Sequence, residues 1–226
     1  MKIGISIDGV LRNFLGRVEE IHEKYFPAEE DEDEVQVLDY ELEKWLTFPE
    51  EEVKQAEVDF DPNFNEDEFL KSDSEDRVEL GRKVKKVTVD EFLYERCTLE
   101  IFGYAEEEIN SAVDTINSLV IDNPDHEFYI ISREIGLSVP STLFFLCKTK
   151  CMVQNIKFIK EFASCWDYVD VMVTDRPEIV KSKPKDKICI KINKNYNNSY
   201  SSDFSLKSIR EIDTSFILKI NNLVLN

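Results

Sequence analysis

The chain has 226 residues, 42 % of them hydrophobic, enough to bury the core of one large domain or of a core with a smaller inserted unit. Its net charge of −19 is unevenly placed: residues 29–79 hold 22 Asp and Glu against only Lys44, Lys54, Lys71 and Arg77, so the rest of the chain is close to neutral. Nucleic-acid phosphates and anionic membranes both require clustered Lys and Arg. The distribution therefore argues against either partner and favours a basic protein surface or a divalent cation.

A carboxylate arrives at Asp8, too early for the apolar centre of a signal peptide, and no apolar run approaches the roughly 18 residues of a membrane span. A cytosolic chain is expected. Ile3, Ile5 and Ile7 alternate in a β-branched run that stops at Asp8-Gly9, which predicts a buried strand delivering polar groups at its carboxyl end. Phe14, Val18, Ile21 and Tyr25 then fall on one helical stripe that Pro27 ends.

From Glu29 to about Glu79 the periodicity is weak. The composition predicts acidic loops pinned by aromatic anchors such as Trp45, Phe48, Phe60, Phe64 and Phe69, a pattern suited to ordering against a basic partner protein. Short helices are expected at Val89 to Tyr94 and Leu99 to Gly103, and a longer one carries Ile109, Val113, Ile116 and Val120.

The second half alternates strands and helices: strands at Phe128 to Ile131, Ile156 to Ile159, Val169 to Val173 and Ile188 to Ile192, with a helix over Val139 to Lys150. Near-continuous apolar strands separated by helices predict an α/β fold, a doubly wound and mostly parallel sheet covered on both faces. Cys97, Cys147, Cys151, Cys165 and Cys189 include no Cys-x-x-Cys pair, and His22 and His126 are the only histidines, so reduced core thiols are expected rather than a zinc site. The six lysines over residues 181–194 read as charges flanking a strand.

In open parallel sheets, ligands bind beyond the carboxyl ends of the strands. Three expected strands end there in Ser6-Ile7-Asp8-Gly9, Ser132 and Thr174-Asp175. Each has a structural explanation as well as a functional one. Asp8 suits the turn before Gly9, Ser132 suits a cap, and Asp175 before Arg176-Pro177 suits a helix start.

The order of these motifs resembles the haloacid-dehalogenase (HAD) superfamily. Ile3-Gly4-Ile5-Ser6-Ile7-Asp8-Gly9-Val10-Leu11 is similar to its first motif, and Phe92-Leu93-Tyr94, Ile101-Phe102-Gly103 and Asp170 to Pro177 are similar to its deoxyribonucleotidase-type branch. The resemblance implies a Rossmann-like core from residues 1–13 and 120–226, with 14–119 in the position of a cap that contains the acidic segment. It also implies roles. Ser6 stands where the family has its nucleophilic aspartate, and Asp8 where it has the general acid/base. Ser132 would bond the phosphoryl oxygens. Asp8 and Asp175 would hold Mg²⁺, with Asp170 a poorer second candidate. Lys157 would supply the third-motif cation, chosen among Lys148, Lys150, Lys157 and Lys160.

Serine at position 6 removes the attacking carboxylate and one metal ligand together. Loss of a covalent nucleophile costs factors of up to about 10⁶ in rate. Direct attack by Ser6 with Asp8 as base would need an activation that no neighbouring histidine supplies. The expectation is a degenerate HAD-like protein without phosphatase activity, acting as a binding or structural component through its acidic insert. The alternative is a Mg²⁺-dependent phosphohydrolase acting on nucleotides or small phosphate esters. HAD-like frames of this look also occur in tailed phages, an association that would place the chain in a virion.

Overall fold

A computed structural model of the protein describes residues 1–26, 50–54, 82–86 and 88–224. Among them lies a six-stranded, all-parallel sheet built from β1 (Lys2–Ser6), β4 (Glu127–Ser132), β5 (Asn155–Phe158), β6 (Val171–Thr174), β7 (Ile188–Ile192) and β8 (Phe204–Leu206). The spatial order is β5-β4-β1-β6-β7-β8, which in sequence order of these six strands is the Rossmann-like arrangement 3-2-1-4-5-6. The chain therefore reverses its direction of winding between β1 and β6, and a crevice opens at the carboxyl ends of those two strands.

Strand alternation fills both faces. Ile3 and Ile5 of β1, Phe128 and Ile130 of β4, Val171 and Val173 of β6, and Ile190 and Ile192 of β7 form one cluster with three helices. These helices are α3 (Ala112–Asp122), α4 (Ser138–Lys148) and α6 (Thr214–Val224). Tyr129, Ile131, Met172 and Cys189 point to the opposite face, where Trp166 and Ile179 cover them. Each fully buried Ile or Val contributes about 1.5–3 kcal/mol. Gly4 sits where a Cβ would come within 2.7 Å of the Met172 sulfur, so a side chain at this central position would push β1 off β6.

A third cluster lies beyond the strand ends. There α1 (Phe14–Tyr25) packs Phe14, Val18 and Ile21 against Phe92, Leu93, Ile101 and Phe102. The segment that carries these last four begins as α2 (Val89–Glu91), capped by the Thr88 hydroxyl. It continues in two wide turns, Phe92–Arg96 and Leu99–Gly103, closed by i to i+5 bonds from Cys97 N to Phe92 O and from Tyr104 N to Leu99 O. Such widened turns favour functional sites, and this pair places Leu93, Tyr94 and Phe102 over the crevice.

The acidic segment 29–79 lies outside the described residues except for 50–54. Here the expectation of loops is corrected: Glu50–Lys54 forms β2, antiparallel to β3 (Arg82–Lys86). The register sets Glu50 opposite Lys86 and Glu51 opposite Lys85. The thiol expectation is corrected for Cys147, which is exposed, whereas Cys97, Cys165 and Cys189 are buried. No helix among the described residues is long and apolar enough to cross a membrane.

Candidate functional site

Three neighbouring strands end in hydroxyl residues: β4 in Ser132, β1 in Ser6 and β6 in Thr174, all buried. Ser6 and Ser132 line the crevice because each is the last residue before the chain leaves the sheet. Ser6 Oγ donates to Thr174 Oγ1 at 2.8 Å across the β1/β6 switch point, and Thr174 Oγ1 also accepts from the Arg176 backbone N–H at 3.1 Å. The pocket above them has a volume of about 530 Å³. Ser6, Asp8 and Ser132 share its lining with Arg133 and Arg176, under a roof of apolar and aromatic side chains.

After β1 the chain makes a tight loop. The backbone N–H groups of Leu11 and Arg12 both reach Ile7 O, at 2.8 and 2.9 Å, and Gly9 adopts φ +69°. This loop turns Arg12 inward beneath the pocket, where it is wholly buried. Its guanidinium meets Asp8 at 2.6 Å and Glu134 at 3.1 Å, and donates to Thr142 Oγ1 at 2.7 Å and to Phe102 O at 2.9 Å. The rings of Phe102 and Phe145 lie 5.0 and 5.6 Å from its centre. A cation this deep is tolerable because carboxylate, hydroxyl, carbonyl and ring faces all meet it.

Glu134 accepts from Ser132 Oγ at 2.9 Å and from Thr142 Oγ1 at 2.7 Å through the oxygen that faces Arg12, while its other oxygen is buried without a hydrogen-bond partner. Burial pushes its carboxyl up from the ordinary range, against the pull of Arg12. The Ser132 hydroxyl is thus turned onto Glu134, which no sequence motif announced.

Asp175 is fully buried. Its carboxyl accepts a hydrogen bond from the Tyr196 hydroxyl and lies 3.9 Å from the Arg176 guanidinium, and its Oδ1 has no hydrogen-bond partner. Burial raises its pKa and raises that of Tyr196 as well. Helix capping does not explain Asp175, because the following helix, α5 (Pro177–Lys181), has Arg176 at its cap position. The carboxyl instead packs on Gly9, where any Cβ would come within 1.9 Å of Asp175 Oδ2.

Of the residues singled out from the sequence, Ser6, Asp8 and Ser132 come together in the pocket, and Asp175 lies just behind Gly9. Lys157 is elsewhere: it is exposed on the edge strand β5, with its ammonium 5.5 Å from the Tyr168 ring. Lys148 donates to Ala105 O at 2.8 Å, and Asp170 pairs with Lys187 at the amino end of β6. The cations that reach the pocket floor and rim are arginines. Arg12 stands four residues after Asp8, and Arg176 directly follows Asp175 and approaches Asp8 Oδ2 at 3.3 Å. The first spacing was available in the sequence as an acid–base pair across a glycine turn. Tyr196, 21 residues from Asp175 in a one-turn helix, left no such signal.

Mg²⁺ is the ion that the HAD resemblance implies, and the donor set does not fit it. Asp8 offers one oxygen to Arg12 and the other to Arg176, Ser6 is neutral, and a cation beside Asp175 would stand next to the Arg176 guanidinium. A hard divalent ion needs several oxygen ligands in a field of negative charge. This field is already balanced by guanidinium groups.

Fold and site together define a Rossmann-like α/β protein with a hydroxyl- and arginine-lined pocket at its topological switch point. No protein-family model matches the chain, and no curated protein matches it.

Proposed function

We propose that the protein is a degenerate HAD-like scaffold that binds at its strand-end pocket without transferring a phosphoryl group, and that it serves as a binding or structural component. The observation that carries this reading is the state of Asp8, whose two oxygens face the guanidinium groups of Arg12 and Arg176. Both oxygens of this carboxylate are thus engaged in charge-assisted hydrogen bonds. With Ser6 in place of a carboxylate, neither a nucleophile nor a metal clamp is assembled. The acidic segment 29–79 is assigned in this reading to contact with a basic protein surface, and virion incorporation belongs to the same proposal.

The competing reading, a Mg²⁺-dependent phosphohydrolase of nucleotides or small phosphate esters, draws on Ser6, Asp8 and Ser132 sharing one pocket. Phosphate release measured with Mg²⁺ on a panel of nucleotides and generic esters separates the two. The expected result is no turnover by the natural chain and none by Ser6→Asp, because the arginine clamp on Asp8 persists in both. Turnover by Ser6→Asp alone would show that the pocket still accepts Mg²⁺ and would remove the argument from the clamp.

A further inference from the structure

The ionic groups about the strand-end pocket already have partners within the protein. Arg12 meets Asp8 and Glu134, Arg176 meets Asp8 and Asp175, Arg133 donates to Lys160 O at 3.2 Å, and Glu178 is not free either. At ordinary charges, three arginines thus stand against Asp8, Glu134, Asp175 and Glu178, and positive charge is not in excess. The Phe162 ring lies against both rim guanidinium groups, at 5.4 Å from Arg133 and 5.5 Å from Arg176. A charged ligand would have to shed its water and then compete with these contacts.

The floor hydroxyls are committed in one direction. Ser6 Oγ gives its proton to Thr174 Oγ1, and Ser132 Oγ gives its own to Glu134. A hydroxyl has one proton and two lone pairs, so both oxygens have acceptor capacity left for the pocket they line. The wall is a run of touching rings: Tyr94 stacks on Phe102 at 5.6 Å with 24° between planes, and Phe14 tilts against Phe102 at 5.4 Å. Leu93, Ile131 and Ile159 add apolar surface. The volume of about 530 Å³ falls in the range of cavities that enclose small organic ligands, about 300–1,000 Å³.

We infer that the pocket is a site for an uncharged aromatic molecule carrying an O–H or N–H donor, its ring body against Phe14, Tyr94 and Phe102 and its donor on the Ser6 and Ser132 oxygens. Such a ligand leaves the ion pairs intact, buries apolar surface on the wall and supplies the protons that the floor oxygens can accept. The inference deepens the binding role proposed above and rests on it.

The test is titration calorimetry of the full chain with probes that share one ring body: 2-naphthol, 2-methoxynaphthalene, 2-naphthoate, the 2-naphthylmethylammonium ion and 2-naphthyl phosphate. Free phosphate is measured in the last sample. The naphthol is expected to bind most tightly, with the methoxy compound weaker by about fivefold for the lost hydrogen bond and the three ions weaker still. Ser6→Ala or Ser132→Ala should bring the naphthol and methoxy affinities together, and Tyr94→Ala should weaken both compounds alike. Melting curves check that each variant is folded, and the probe series on the natural chain decides the matter if a serine variant is not. No binding of 2-naphthol, equal affinity for its methoxy ether, or an ion that binds as well as the naphthol would each overturn the inference. So would an unchanged naphthol preference in both folded serine variants. Release of phosphate from 2-naphthyl phosphate would instead overturn the non-catalytic reading, so the two failures are told apart.

Discussion

Replacing Arg12 with methionine probes the centre of the site. Methionine keeps much of the side-chain length between the Phe102 and Phe145 rings but removes the charge that faces Asp8 and Glu134. Glu134 has no exposed side-chain surface and Asp8 has little, so water cannot take over the lost contacts. Removing one partner of a buried ion pair costs about 3–5 kcal/mol. For a chain of this size that corresponds to a fall in melting temperature of roughly 6–20 °C. Urea unfolding followed by circular dichroism reads the change, with the slope checked for a constant surface exposed on unfolding. Arg12→Met/Glu134→Gln should recover part of the loss, because the second substitution removes one of the two stranded carboxyls. A loss below about 1 kcal/mol in Arg12→Met, in the range of an exposed pair, would refute the claim that this guanidinium organises the site.

Other consequences follow from the same contacts. Glu134 has its pKa raised in the folded state, so the folded chain holds this proton more tightly than the unfolded chain does. Its contribution to stability therefore falls as pH rises from the ordinary carboxylate range through the raised folded value. Glu134→Gln should lose that slope in denaturation curves taken across the window, and an unchanged slope would contradict the assignment. Gly9→Ala should destabilise through both its left-handed φ and the clash with Asp175. Roughly 1–2 kcal/mol comes from the backbone alone, and a melting curve like that of the natural chain would show that Asp175 does not pack there. Gly4→Ala should cost about 1–3 kcal/mol by overpacking against Met172 and Val169, read by the same melts. Deleting residues 29–79 should abolish co-purification with any basic partner and leave the melting of the sheet core unchanged.

Much of the sheet is legible in the sequence because a buried parallel strand is written as a short apolar run. Ile188 to Ile192 is found as expected, and β4 differs from its expected bounds only by including Glu127 and Ser132. Strand β6 instead begins at Val171, two residues later than the apolar run, because Asp170 faces Lys187 and the Lys2 backbone N–H at the amino end of the strand. Strand β8 and helix α6 are not among the elements expected from the sequence: three residues of Phe-Ser-Leu carry too little pattern to mark a strand. The hydroxyls and carboxylates at the strand ends are visible because the chain must place polar groups where apolar runs stop. What the sequence does not show is which partners those groups take. Ser132 turning to Glu134, and Asp175 to Tyr196, depend on loops whose path is set by tertiary packing. The site cations are arginines because the loop after β1 folds Arg12 under the pocket and Arg176 sits at the cap of α5, whereas Lys157 is carried on an edge strand towards Tyr168.

The most direct measurement is phosphate release by the natural chain in saturating Mg²⁺, compared with Asp8→Asn. Rates indistinguishable from buffer are expected for both proteins on nucleotides and on generic phosphate esters. Turnover by the natural chain that Asp8→Asn abolishes would contradict it.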